Sequence, residues 1–329
     1  MKRLVSLLLI ILVVCAAFVG CKQEKKLRTV QLNEVTRSVF YAPQYVAASQ
    51  GYFAEEGLEI VITTGGGSDK TMTALLAGEA DIGLMGPETG VYVINEGKKD
   101  HPVIIGQLTK RDGSFLMGRA PEPDFQWENL KGKTIIGGRK GGMPLMTLQY
   151  VLKQHGLTPG TDVTVIDNIQ FNLMGGAFEG GTGDYVTLFE PTASTFALAD
   201  KGYIVANVGE ASGEVPYTTY MVSQKTLKND PKLVESFLRA IYKAQQWVQK
   251  ATDEEVAKAM QPFFPDTSLE VLTSVAHNYR TTDSWKSDPV MQEKDFQRLL
   301  EVINGSGELK SKVEFSELVD NSIAEKVIK

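Results

Sequence analysis

The sequence predicts an α/β protein built on largely parallel sheets. Three observations carry that expectation. Strand-like and helix-like patterns alternate from Thr29 to about Ala206, the order that yields parallel strands joined by crossover helices. A loop–strand–helix layout occurs twice, as GEADIGLMGPE (78–88) and GTGDYVTLFEP (181–191). From Pro231 onward the pattern is helical.

The N-terminus stands apart from that pattern. Lys2 and Arg3 precede an apolar run from Leu4 to Val14, and small residues follow at Ala16 and Ala17. This is the form of a secretory signal peptide, here residues 1–20. Phe18-Val19-Gly20-Cys21 resembles the lipobox of bacterial lipoproteins. That resemblance implies an acylated Cys21 and a membrane tether over 21–27, since two acyl chains anchor stably where one does not. Cys15 would leave with the leader, so no structural cysteine pair remains. The net charge of −6 argues against a nucleic-acid partner, which calls for a basic surface.

The elements follow in order. Thr29 to Val35 alternates as a strand, and Ala42 to Ser49 reads as a helix ended by Gly51. Leu58 to Thr63 is a strand. Ser68 or Asp69 is placed to cap the next helix, with Met72, Leu75 and Leu76 on one face. Asp81 to Met85 is a strand, and Pro87 opens a helix. Val103–Leu108 and Ser114–Gly118 are strands. A second cycle has strands over Thr134–Gly137, Val163–Asp167 and Tyr185–Phe189, with helices over Pro144–His155 and Pro191–Asp200. Tyr203–Asn207 and Tyr217–Ser223 end the strands. The tail reads as helices near 231–251, 253–261, 268–280, 289–303 and 314–327.

In the repeated layout, Gly78 and Asp81 match Gly181 and Asp184. The two copies place Glu88 and Glu190 just beyond strand ends, where ligands bind in open α/β sheets. A facing carboxylate there favours a ligand with a cationic or N–H edge. The stretch IIGGRKGGMPLM (135–146) is glycine-rich, basic and lies between strand and helix. It is not a P-loop, because Met143-Pro144 stands where Lys and Ser or Thr belong. Nor is it a dinucleotide fingerprint, because Lys140 occupies the place of a glycine. It remains a cleft loop in which Gly141 and Gly142 allow close backbone approach and Arg139 supplies a charge. His101, His155 and His277 are far apart in sequence, and no catalytic constellation is visible.

A set of short motifs, in order and spacing, completes the reading. These are Phe40-Tyr41-Ala42-Pro43, Gly51-Tyr52-Phe53, Glu56-Gly57-Leu58, Gly78-Glu79-Ala80-Asp81-Ile82-Gly83, Leu130-Lys131-Gly132-Lys133-Thr134-Ile135, Glu190-Pro191-Thr192 and Leu318-Val319-Asp320-Asn321-Ser322. With them the chain resembles the solute-binding proteins of ABC importers related to sulfonate, taurine, nitrate and thiamine-pyrimidine binders, the SsuA/THI5-like group. The resemblance implies a two-lobed periplasmic-binding-protein fold (type II), with two crossing strands and a helical tail on lobe 1. Lobe 1 would be 28–112 and 215–329, and lobe 2 would be 113–214.

It also implies a monomer that captures a small molecule in the cleft and delivers it to a permease and ATPase. No cofactor and no turnover are expected. The ligand would be a thiamine-type pyrimidine or other nitrogen heterocycle, or an alkanesulfonate or taurine-like anion. The alternatives are a pyrimidine-synthesis enzyme and a ligand-sensing lipoprotein. Candidate ligand-binding residues are Thr36, Arg37, Phe40 and Tyr41 in the first loop, Gly66 in the TTGGGSDK turn, Glu88, and Gln107 near the first crossing. Arg139, Gly141, Gly142, Glu190 and Tyr217 complete the set.

Overall fold

The structure is a computed structural model and describes residues 26–329. The expected signal peptide, the lipobox and Cys21 lie outside the described residues. Two five-stranded sheets form the frame. The first contains β1 (Arg28–Glu34), β2 (Leu58–Thr64), β3 (Ile82–Met85), β4 (Pro102–Thr109) and β10 (Thr218–Ser223), in the order β2-β1-β3-β10-β4. The second contains β5 (Ser114–Gly118), β6 (Thr134–Ile136), β7 (Thr164–Ile166), β8 (Tyr185–Phe189) and β9 (Tyr203–Asn207), in the order β7-β6-β8-β5-β9. Each sheet has one antiparallel strand in its fourth place, β10 or β5. Each of those strands directly follows a passage of chain from the other sheet, at 110–113 and at 208–217.

The repeated motif has the same physical role in both sheets. The Asp81 carboxylate accepts the Gln31 N–H at 2.8 Å, and the Asp81 N–H donates to the Gln31 carbonyl at 2.9 Å. Asp184 makes the same two bonds to Thr134, both at 2.8 Å. Each aspartate thereby fixes where a central strand enters beside its parallel neighbour. Replacing either by Ala should cost about 1 kcal/mol, the worth of one hydrogen bond. Urea denaturation of the two variants should return similar losses.

The helical tail begins with Pro231–Lys250. Asp230 caps it by accepting the Leu233 N–H at 3.3 Å, and Pro231 opens it. Its buried stripe includes Leu233, Phe237, Ile241, Ala244 and Val248, at the spacing of one helix face. That face packs on the helices Ala42–Ser49 and Tyr52–Glu55. The tail also reaches the second sheet's layer. Leu269–Thr281 packs on Thr192–Leu198, and Glu293–Gly305 on Met143–Gln154.

Two local expectations are corrected. The helix expected over 314–327 is broken into Phe315–Leu318 and Ser322–Val327. Between them buried Val319 bridges to Ile104, and the Asp320 N–H donates to the Ile104 carbonyl. Neither Ser68 nor Asp69 caps the helix Ser68–Ala77. Gly67 holds the cap position, and the Ser68 hydroxyl faces the Gly86 N–H at 3.5 Å. Among the described residues no helix is long and apolar enough to cross a membrane.

Candidate functional site

A cavity of about 760 Å³ lies at the carboxyl ends of the parallel strands of both sheets. The loops after β1, β2, β3, β6 and β7 line it, which is where such sheets bind ligands. Its apolar floor is an aromatic cluster around Phe40. The Phe40 ring lies 5.7 Å from those of Phe189 and Tyr217, 6.0 Å from Tyr41 and 5.0 Å from Tyr279. Phe171 extends the cluster toward the rim, 5.3 Å from Phe189. Offset and edge-on contacts of this kind suit a flat, apolar-faced guest.

Glu88 is the main polar group in this wall. It opens the helix Glu88–Asn95 after Pro87 and is only 2% exposed. Among the described residues its Oε2 has no hydrogen-bond partner. Burial pushes its carboxyl up to about 8, so at neutral pH it holds a proton. A neutral carboxylic acid presents one donor and one acceptor side by side. The buried Glu88 carboxyl also helps push the Tyr41, Tyr92 and Tyr217 hydroxyls above the usual tyrosine range, after burial itself. A buried carboxyl oxygen without a partner is costly to keep.

The mouth is basic. Lys70, Arg139 and Lys140 line it beside Gly66, Gly67, Gly141 and Gly142. Arg139 spans the cleft to Asp69 at 3.5 Å, with both side chains well exposed. Exposed pairs of this kind contribute little. Arg139→Ala should therefore change ligand affinity by less than about fivefold, measured by isothermal titration calorimetry.

Of the residues expected from sequence, the structure brings Thr36, Phe40, Tyr41, Gly66, Glu88, Arg139, Gly141, Gly142 and Tyr217 to the cavity wall. Three lie elsewhere. Arg37 turns back to the buried Glu34 at 3.1 Å and covers the Tyr45 and Phe263 rings. Burial pushes the Glu34 carboxyl up to about 7, against the opposing pull of Arg37. Gln107 is fully buried in β4, where its amide donates to the Thr109 carbonyl at 3.0 Å. Glu190 accepts from the Ser194 N–H and hydroxyl and from Asn278 at 2.6 Å, so it caps one helix and docks another.

Sequence reading missed Tyr92, Gln170, Phe171, Asn172 and Phe189 in the wall. Tyr92 was reachable, since it lies one helical turn after Glu88 on the same face. The loop 168–173 carries no pattern that places it. The three histidines are outside this wall. His155 faces Glu128, His277 faces Asp253, and the His101 ring contacts the Pro102 carbonyl.

The two passages between sheets run beneath the cavity floor. They bond to each other from Val215 N–H to the Lys110 carbonyl and from Tyr217 N–H to the Thr109 carbonyl. Asp112, fully buried on the first passage, accepts from the Ser114 N–H and hydroxyl. Burial pushes its carboxyl up to about 6. The Tyr279 hydroxyl donates to the Gly113 carbonyl at 3.1 Å and accepts the Glu190 N–H at 3.2 Å.

Residues 39–255 match the family described as NMT1/THI5 like. YtlA of Bacillus subtilis (strain 168), whose name describes it as a candidate binding protein, is 46% identical over 94% of this chain and 93% of its own. A 4-amino-5-hydroxymethyl-2-methylpyrimidine phosphate synthase of Candida albicans is 25% identical over 64% of this chain and 63% of its own. The fold matches a solved structure from Staphylococcus aureus, a zinc-bound ligand-binding component of an ABC-type import system. The TM-score is 0.73 at 13% identity, covering 91% of this chain and 99% of that one. The length and identity of the match to YtlA and the span of the family match agree with the paired sheets and their shared cavity, and the chain belongs to the NMT1/THI5-like family.

Proposed function

We propose that this chain is the extracytoplasmic binding protein of an ABC importer, tethered by an acylated Cys21. It captures a flat nitrogen heterocycle that carries an N–H donor beside a ring nitrogen acceptor. Lobe 1 is 28–112 with 215–329, lobe 2 is 113–214, and the ligand lies between them without being turned over. The observation that carries the reading is Glu88, buried in an aromatic wall with its Oε2 unpartnered. Its acid form matches the amidine-like edge of an aminopyrimidine with two hydrogen bonds, while the rings of Phe40, Phe189 and Tyr217 cover the faces. A bare anion has no partner at Glu88. The name of the Candida albicans relative points to the same ring, and the Staphylococcus aureus match supports the import role.

A second reading, an alkanesulfonate or taurine-like ligand, is favoured by Lys70, Arg139 and Lys140 at the mouth. Calorimetry with 4-amino-5-hydroxymethyl-2-methylpyrimidine, taurine and methanesulfonate decides between them. One-to-one binding of the pyrimidine, recovered unchanged, is the expected result. Binding of the sulfonates alone would replace the first reading by the second. Conversion of the pyrimidine would overturn the binding-only role.

A further inference from the structure

The helix Glu88–Asn95 carries a second group toward the cavity. Tyr92 stands one turn after Glu88, and residues four apart share a helix face. Both line the cavity. The Tyr92 hydroxyl, however, does not end in the cavity. It crosses to the loop after β6, donating to the Gly141 carbonyl at 2.9 Å, with the Met146 sulfur at 3.4 Å. That loop belongs to the second sheet's layer, whereas Tyr92 belongs to the first.

Gly141 has the backbone that such a bond needs. Its φ is +76°, in the left-handed region, yet a side-chain carbon there would meet nothing within 4 Å. The glycine is therefore required for conformation rather than for room. That conformation turns its carbonyl to the tyrosine. The ion pairs near the mouth, Arg139 to Asp69 at 3.5 Å and Lys140 to Glu308 at 4.0 Å, are longer and involve exposed side chains, so solvent screens them. The Tyr92 bond is half-buried and neutral, and salt leaves it intact.

We propose that Tyr92 is the latch of this binding site: its hydroxyl, held by the Gly141 carbonyl, keeps the cleft closed and sets how long a ligand stays. Tyr92 is a positioning residue. It sits beside the group that takes the ligand and holds the opposite wall in place. The proposal rests on the heterocycle-binding reading for its ligand arm, and its structural arm stands without it.

The test is Tyr92→Phe, which removes one oxygen and keeps the ring. Hydrogen exchange of the ligand-free protein is followed over residues 137–146, and stopped-flow kinetics use 4-amino-5-hydroxymethyl-2-methylpyrimidine as the probe. In the variant, exchange of this loop should accelerate about fivefold. The probe's dissociation rate should rise about five- to tenfold, the worth of one hydrogen bond. Its association rate should stay within about twofold, and the melting temperature should fall by no more than about 2–4 °C, as one lost hydrogen bond brings. Gly141→Ala has space for its methyl but not the backbone preference, and it should show the same acceleration. If the wild-type protein does not bind the probe, the heterocycle reading fails and loop exchange alone decides the latch. Unchanged loop exchange in both variants overturns the latch, whatever the probe does.

Discussion

Glu88→Leu should abolish binding of an aminopyrimidine, with a loss of at least about a hundredfold, near 3 kcal/mol. The variant removes both the donor and the acceptor that the buried acid supplies and leaves the ligand's N–H edge facing an apolar wall. Glu88→Gln should retain binding within about tenfold, because an amide also presents a donor beside an acceptor. The pH profiles separate the two forms further. Burial holds the Glu88 carboxyl at about 8, so it carries a proton at neutral pH. The complex needs one proton between the acid and the ring nitrogen, whichever of them holds it. Affinity should therefore be level near neutrality and fall as pH rises through about 8. In Glu88→Gln that fall should vanish.

The same group shapes stability with a definite sign. A carboxyl whose folded value lies above its unfolded one binds its proton more tightly in the folded state. Stability is then full below the unfolded value and is lost as pH rises through the folded one. Glu88 at about 8, Glu34 at about 7 and Asp112 at about 6 all act in this direction. Thermal melts should fall between about pH 5 and pH 8, and Glu88→Gln should flatten the upper part of that slope. An affinity that stays level to pH 10 in the wild-type protein would remove the shared proton from the account.

Gly209→Ala should be the most damaging small substitution, costing on the order of 3 kcal/mol. An added methyl would stand 2.0 Å from the Asp112 carbonyl oxygen and 2.9 Å from its carbon. Both are backbone atoms on the first passage between sheets, so no side chain can swing aside. Gly209 itself lies at the start of the second passage. The methyl would force the two passages apart beneath the cavity floor. Calorimetric melting measures the loss, and ligand affinity should fall with it because Tyr217 follows on the same segment. A melting temperature within about 2 °C of wild type would show that the passages yield freely there.

Much of this architecture was legible in the sequence. Strand alternation and apolar helix stripes depend on period alone, so β1 to β10 and the long helix Pro231–Lys250 were readable. The paired aspartates were readable because a carboxylate fixed at a strand entry leaves a residue at a set spacing. Glu88 and the glycine loops were readable because strand ends are where these sheets bind. What failed was direction. Arg37 and Glu190 lie next to the cavity in sequence, but each meets a stronger partner on the other side. A buried Glu34 draws Arg37, and Ser194 and Asn278 draw Glu190. Glu34 lies three residues from Arg37 and Ser194 lies four residues from Glu190, but Asn278 lies 88 residues from Glu190. No local pattern encodes the distant ones. Phe171 and Asn172 were missed because a single 3-10 turn, Phe171–Leu173, is too short to show a period.

The docking of the tail has a mechanical consequence. The two sheets are joined by two passages of chain, of which the second begins as the helix Val208–Ser212. Tyr279, from the tail helix Leu269–Thr281, adds a tie to Gly113 on the first passage and to Glu190 beside it. The packing of Leu269–Thr281 on Thr192–Leu198 and of Glu293–Gly305 on Met143–Gln154 adds contacts away from those passages. Any movement of one sheet's layer against the other must therefore carry or break the tail's contacts, and not only bend the two passages.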